Sequence, residues 1–363
     1  MQSRFLANIK RAALSAPAFL RHVPELEKER DGLKAHAQRL EMECRLLDEH
    51  VANLERERDE LKPHIRRLER LDRLLHAEPG TYGSPIVDPE LPETQRAARM
   101  QQRWEWQGAP LALDEGAMVD LFHRLRRHYP EVPFPEAKTP DWRYYLGNPA
   151  FSYADGITLF CMLREFRPAR IVEAGVGFSS CLMMDTNDRF FGGAIEMRML
   201  DPHPEVLRAL LEPGDPYLGR IQTLALQDAS LDLFTSLGEG DLLFIDSSHV
   251  GKTASDVTDY CFRILPALKP GVLVHVHDIF YPFEYPPEWV IQENRSWNEA
   301  YLLRAFLQYN QEFKVIYFND WIYNRHADLT GQHMPLCRRQ TGGSIWLRRR
   351  GSSPARAEAR PPV

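Results

Sequence analysis

Leucine stands at every seventh position from Leu26 to Leu75: Leu26, Leu33, Leu40, Leu47, Leu54, Leu61, Leu68 and Leu75. A seven-residue apolar period sustained over this length admits one local structure, a long helix with a leucine seam. With these leucines at d, the a positions are Arg30, Ala37, Cys44, Val51, Arg58, Ile65 and Asp72, a half-polar partner row. Polar a residues weaken a coiled coil but fix its register and favour a low oligomer number. Residues 25–76 are therefore expected to self-associate as a coiled coil. The competing expectation is a helix folded back on its own domain. Pro63 should kink or break the helix.

The rest of the chain divides by composition. Residues 1–24 read as a basic amphipathic lead-in, apolar at Phe5, Leu6, Ile9, Leu14 and Phe19 and basic at Arg4, Lys10 and Arg11. Such a segment suits a membrane surface or a partner, or is simply the frayed start of the long helix. Residues 77–110 are a Pro/Gly-rich linker ending in a short helical stretch. Residues 111–350 are the main domain, with 111–167 as a helical cap, and 351–363 read as a disordered tail.

Charge and cysteine usage narrow the classes. Net charge is −6, which gives no global case for nucleic-acid binding. The five cysteines, Cys44, Cys161, Cys181, Cys261 and Cys337, form no C-x-x-C pair and fit reduced thiols. No run of eighteen apolar residues occurs, and the N-terminus lacks a secretory pattern. The expected location is cytoplasmic, with the lead-in allowing a peripheral place on the inner face of the membrane or an assembly partner there.

From residue 168 onward apolar runs alternate with helical patterns. The strands read are 170–174, 197–201, 220–225, 242–246, 272–276, 313–318 and 344–349. Near-continuous apolar strands separated by helices imply an α/β fold, a Rossmann-like sheet with helices on both faces. Ligands in such sheets sit beyond the carboxyl ends of the strands, so the strand ends carry the function.

The first end, "VEAGVGFSS", places Glu173 before Gly175 and Gly177, with Phe178 and Ser179 opening a helix. Two glycines allow a tight turn and close approach of a ligand. Ser180 replaces the third glycine of a dinucleotide fingerprint, and no P-loop lysine follows. A bare structural turn reads equally well. Asp201 ends the second strand, where an acid can accept from both ribose hydroxyls. Asp228, after the third, is placed to meet an adenine amino group. Any one of these acids could be a helix cap; three in order are harder to dismiss.

With these residues the chain resembles the class I S-adenosylmethionine-dependent methyltransferases, from "YYLGNPAFSYADG" (144–156) to "GGSIWLRR" (342–349). Within that class it is similar to a bacterial group with strand-four "FIDSSH" and strand-five "HDIFYPFEYP". The resemblance implies a seven-strand sheet with its last strand antiparallel. It implies an S-adenosylmethionine site at Glu173, Gly175, Gly177, Phe178, Ser179, Asp201 and Asp228. Ala174 stands where many relatives carry a larger aliphatic residue.

The chain is also similar to metal-dependent catechol-type O-methyltransferases, which carry an acid after strand four and an acidic or amide pair after strand five. Asp246, His277 and Asp278 take those places as candidate metal ligands. Histidine at the second place fits Mg²⁺ poorly and leaves Mn²⁺, Fe²⁺, Zn²⁺ or no metal. His249 stands where the catechol-type enzymes carry a catalytic lysine, and is the candidate base; Asp278 is the second candidate catalytic group. Otherwise these residues tie strand ends to loops, and His275 reads as structural. Tyr153 and Asp155 would close over the cofactor, or Ser152 or Asp155 would cap a helix. Asn298 and Glu299 read as caps. Glu284 and Glu288 are extra bases or solvated, and the aromatics of 280–289 would wall an acceptor pocket.

The expected function is O-methylation of a hydroxyl on a sugar, polysaccharide or secondary metabolite, with or without a divalent metal. The acceptor, a small molecule or glycan, is implied by resemblance alone. Two other readings stand beside it: a coiled-coil scaffold with a non-catalytic methyltransferase-like domain, and a metal-dependent oxidation using His249, His277 and Asp278.

Overall fold

The computed structural model describes residues 2–75 and 113–351 together with isolated residues between them, and side chains of the first helix from Val23 to Leu71. Most of the expected linker, the side-chain pattern of residues 1–22 and the tail from 352 lie outside the described residues. The chain forms two compact units, Met1–Glu78 and Pro79–Val363.

The first unit is one α-helix, Gln2–Leu74. It continues through Pro63 instead of ending there. Proline forfeits one N–H bond to the preceding turn, and the good helix formers around it, Glu60, Leu61, Lys62 and Arg66, carry the helix across that gap. No described helix is long and apolar enough to cross a membrane.

The second unit is built on a seven-stranded sheet in the order β3-β2-β1-β4-β5-β7-β6. Its strands are β1 Arg170–Ala174, β2 Glu196–Asp201, β3 Ile221–Thr223, β4 Leu242–Ile245, β5 Leu273–His277, β6 Phe313–Phe318 and β7 Ser344–Arg349. β1 to β5 pair in parallel, and β7 runs antiparallel to both β5 and β6. Every β4 and β5 residue is buried, as expected for central strands covered on both faces. Helices Tyr153–Phe166 and Phe178–Phe190 supply much of the covering, with Leu159, Phe160, Leu182 and Met183 fully buried. The fold is a Rossmann-like seven-strand sheet covered by helices, preceded by a long N-terminal helix. β3 is shorter than its apolar run: after Thr223 the chain turns into a 3₁₀ segment, Leu226–Asp228.

Strand order reverses between β1 and β4, both parallel to their neighbours. Diverging connections leave a crevice at the carboxyl ends there.

His275 belongs to the core. Its ring stacks on Phe244 at 4.0 Å and meets Trp346 edge-on at 4.6 Å. Burial, reinforced by neighbouring His277, holds its pKa well below the ordinary value, so it is a neutral packing group.

Candidate active site

The crevice is a cleft of about 360 Å³ whose walls include Gly175, Asp201, Gln227, Asp246, Ser248 and Asp256. Gly175 has φ +84°, and a Cβ there would fall 1.6 Å from the Asp246 carbonyl oxygen. Only glycine lets β1 turn this closely against the end of β4. Gly177 differs: its φ of 176° is extended backbone open to any residue, and a Cβ would meet nothing within 4 Å. The space above it is free for a ligand.

Glu173 is fully buried beneath this turn. Ser179 Oγ donates to its Oε1 at 2.8 Å and Ser180 Oγ to its Oε2 at 2.7 Å. The Gly177 N–H donates to Ser180 Oγ at 3.0 Å, so Ser180 has a structural task where a third glycine would have none. Burial outweighs the two serine hydrogen bonds and pushes the Glu173 carboxyl up to about 8. Between its ordinary value of 4.5 and about 8, the folded chain keeps a proton that the unfolded chain has lost. That contribution is complete below 4.5 and lost as pH rises through 8. Glu173→Gln should therefore raise the melting temperature progressively across that window, gaining up to ~5 kcal/mol at the alkaline end. A pH series of thermal melts checks this; a gain independent of pH would contradict it.

Phe178 is half-buried, its ring edge-on to Tyr145 at 5.7 Å. Asp201 is held by two backbone donors, the Val176 N–H at 2.9 Å and the His203 N–H at 2.7 Å. A carboxylate has about four acceptor sites, so two remain for a ligand. Asp228 is exposed and is not among the cleft residues; its neighbour Gln227 is. Gln227 Oε1 is buried and has no hydrogen-bond partner, an acceptor that a ligand amino group would satisfy.

Asp246 extends the cleft into a second constellation. Its Oδ1 lies 3.4 Å from His249 Nε2, and Asp278 Oδ2 lies 3.5 Å from the same nitrogen. On the other side of the ring, Nδ1 is 2.8 Å from Glu299 Oε2. Glu299 is fully buried, and its Oε1 accepts from Tyr260 Oη at 2.8 Å. Trp297 covers the imidazole at 4.3 Å. The backbone is fixed as well: the N–H groups of Asn298 and Glu299 both donate to the His249 carbonyl at 3.2 Å. His249 and Asp278 have φ of 60° and 55°, a left-handed conformation that costs a non-glycine residue about 1 kcal/mol or more.

The electrostatics follow from burial and neighbours. Desolvation disfavours a charged His249, yet hydrogen bonds to Asp246 and Glu299 overcome it and hold the ring well above its ordinary pKa. Burial likewise opposes ionisation of Asp246, but His277 and His249 outweigh it and bring the carboxyl down to about 2. Asp278 moves the other way: burial raises it despite the same two histidines.

Asp246, His277 and Asp278 each offer a ligand atom, all within 4.8 Å of one another. His277 Nδ1 is buried without a partner. Two carboxylates and an imidazole form a donor set that a divalent transition metal fits.

Ser152 begins helix Tyr153–Phe166 without a side-chain cap bond and instead meets Gln340. Asp155 is buried and accepts from Asn319 Nδ2 at 3.3 Å; Tyr153 bonds Glu136. Glu284 is buried against Tyr301, whereas Glu288 is exposed. Asn298 clasps the Gly251 backbone, its Nδ2 donating to the carbonyl at 3.1 Å. Glu299, read from the sequence as a cap, is instead buried between His249 and Tyr260. An aromatic chain runs from the 280–289 segment to His249: Phe280 to Trp289 at 5.3 Å, Trp289 to Trp297 at 5.5 Å, Trp297 to the imidazole. Arg295 lies over both indoles, at 4.2 and 4.7 Å.

Residues 172–279 match the family described as "Methyltransferase domain". An uncharacterized protein of Archaeoglobus fulgidus is 32% identical over 175 residues, covering 44% of this chain and 73% of its own length. Among solved structures, the SAH-bound methyltransferase PaMTH1 of Podospora anserina is similar at 15% identity and a TM-score of 0.34. That similarity spans 72% of this chain and 97% of the other.

Proposed function

We propose, for a chain that belongs to the same family as the Archaeoglobus fulgidus protein and carries a methyltransferase domain, that it transfers a methyl group from S-adenosylmethionine to a hydroxyl of a small-molecule or glycan acceptor. One observation carries this reading. Asp246 both walls the cleft at the strand switch point and contacts the imidazole of His249, so donor cleft and candidate base share a residue. The chain's groups fit the donor: Asp201 has acceptor capacity for ribose hydroxyls, Gln227 Oε1 lacks a partner, and Gly177 leaves space. Asp228, exposed at the end of the same turn, is the other candidate for the adenine amino group.

Methyl transfer is an in-line displacement that requires alignment and removal of the acceptor's proton. His249 Nε2 takes that proton, since Nδ1 is committed to Glu299. Asp246, His277 and Asp278 would hold a divalent cation, and a bound cation would supply Lewis-acid polarisation of the acceptor oxygen.

The test is calorimetric titration with S-adenosylmethionine, with and without Mn²⁺, followed by mass analysis of a hydroxylated acceptor panel. Micromolar binding and an O-methyl product support the reading. No binding under any metal condition would remove it and leave the scaffold reading. A second check uses pH. A base with a raised pKa must lose its proton to act, so kcat/KM should rise with pH through an inflection above 6.5. Glu299→Gln removes one carboxylate that holds that proton. Its profile should move to lower pH, with a maximal rate lower by about tenfold. An unmoved inflection would exclude Glu299 from tuning His249.

A further inference from the structure

The first helix presents its leucine seam to solvent. Leu33 is 64% and Leu68 65% exposed, and Leu26, Leu40, Leu47, Leu54 and Leu61 are exposed with them. Val51 and Ile65 of the second row are exposed too. A helix this long with a continuous apolar stripe gains stability by burying it. A shallow depression lies at the start of the seam, lined by Leu26, Glu29, Arg30, Leu33, Lys34 and Ala37, residues that would frame a facing knob.

We propose that this seam is a homodimer interface in which two copies of the chain pair parallel and in register. Charge selects the partner and its direction. In a parallel pair each g residue faces the e residue five positions on in the other copy. Glu29 then faces Lys34, and Glu57 faces Lys62. His36, His50 and His64 face Glu41, Glu55 and Glu69. One pair, Glu43 with Asp48, is alike in charge. In an antiparallel pair of full overlap, e faces e and g faces g. The charge pattern is nearly palindromic, so that arrangement sets acid against acid and lysine against lysine along most of the overlap, only Glu29 meeting an apolar residue, Leu71. Glu27 meets Glu69, Lys34 meets Lys62, Glu41 meets Glu55, and Asp48 meets itself; His36 meets His64 and Glu43 meets Glu57. Like charges across such a seam are destabilising. A heterologous partner would need its own matching pattern, whereas a second copy already has one.

The a row fixes the number. Arg30 and Arg58 would face their own counterparts across the axis. In two strands their long stems can lie along the seam with the guanidinium groups in water, whereas the closed core of a trimer gives them no exit. Register places Cys44 at an a layer opposite Cys44 of the second copy. It is also the one exposed thiol among the five cysteines, Cys161, Cys181, Cys261 and Cys337 being buried.

The full-length protein tests this by light scattering and by oxidation. The expected mass is about 84 kDa, twice the 42.1 kDa chain. Copper–phenanthroline, accepting two electrons as two thiols lose their protons, should convert most of the dimer to a covalent form through Cys44. Cys44→Ser should abolish that product without changing the mass. The Leu54→Cys variant reports direction independently, because full antiparallel overlap sets position 44 level with position 54. Peptide mapping should find 44-to-44 and 54-to-54 bridges. A monomer or a higher oligomer overturns the proposal, as does a dimer bridged from 44 to 54.

Discussion

His249→Asn should lower kcat by about a thousandfold, ~4 kcal/mol of transition-state stabilisation, and leave S-adenosylmethionine affinity within about twofold. Asparagine is chosen for the backbone. Position 249 sits at φ 60°, which asparagine tolerates better than most residues, so loss of activity is not confounded by loss of fold. The carbonyl that accepts from Asn298 and Glu299 is unaffected, since those bonds involve main chain alone. What disappears is the ring that joins Glu299 on one side to Asp246 and Asp278 on the other. The shorter amide cannot span 2.8 Å to Glu299 and also reach the far carboxylates. A variant that kept more than a tenth of kcat would move the base role to Asp278, whose carboxyl burial already pushes upward. Steady-state kinetics with a saturating donor, paired with thermal melts, separates these results.

What the sequence made legible is what neighbours in sequence determine. β1, β6 and β7 coincide with their apolar runs, because the alternation of apolar strand and polar connection is set by residues adjacent in sequence. Gly175 and Asp201 were readable for the same reason: a strand end, a turn and a helix start are local events. Glu299 was not. Its partner lies fifty residues away, and at the start of a helix an acid is normally read as a cap or a dipole partner; only packing turns it inward to His249. Gln227 was hidden by a smaller effect. β3 ends at Thr223 and the chain enters a 3₁₀ turn, so one residue of phase decides whether 227 or 228 lines the cleft. Glu173 adds another case: its place at a strand end was readable, but its burial beneath the turn with Ser179 and Ser180 donating to its two oxygens was not. Pro63 illustrates that a local breaker yields when the turns on either side are strong helix formers.

Asp201→Ala should weaken S-adenosylmethionine binding by about a hundredfold. Two hydrogen bonds from ribose hydroxyls to a carboxylate are worth ~1.5 kcal/mol each when charge-assisted, and ~3 kcal/mol is a little over two decades in Kd. The geometry supports full value, because the Val176 and His203 N–H groups fix the carboxylate before any ligand arrives, so little ordering cost falls on binding. Asp201→Asn should lie between. Its one remaining carbonyl oxygen cannot accept from both backbone donors and both hydroxyls, and its NH₂ would face an N–H. The adenine end gives an internal comparison. Gln227 lines the cleft with an unpaired Oε1 whereas Asp228 is exposed away from it, so Gln227→Ala should cost about tenfold and Asp228→Ala little. Calorimetry on the four variants distinguishes the cases. Equal small losses at positions 201 and 228 would mean that the cleft is not the donor site. A large loss at 201 with the tenfold cost at 228 would place the adenine on the far side of the turn, where binding must first draw Asp228 inward.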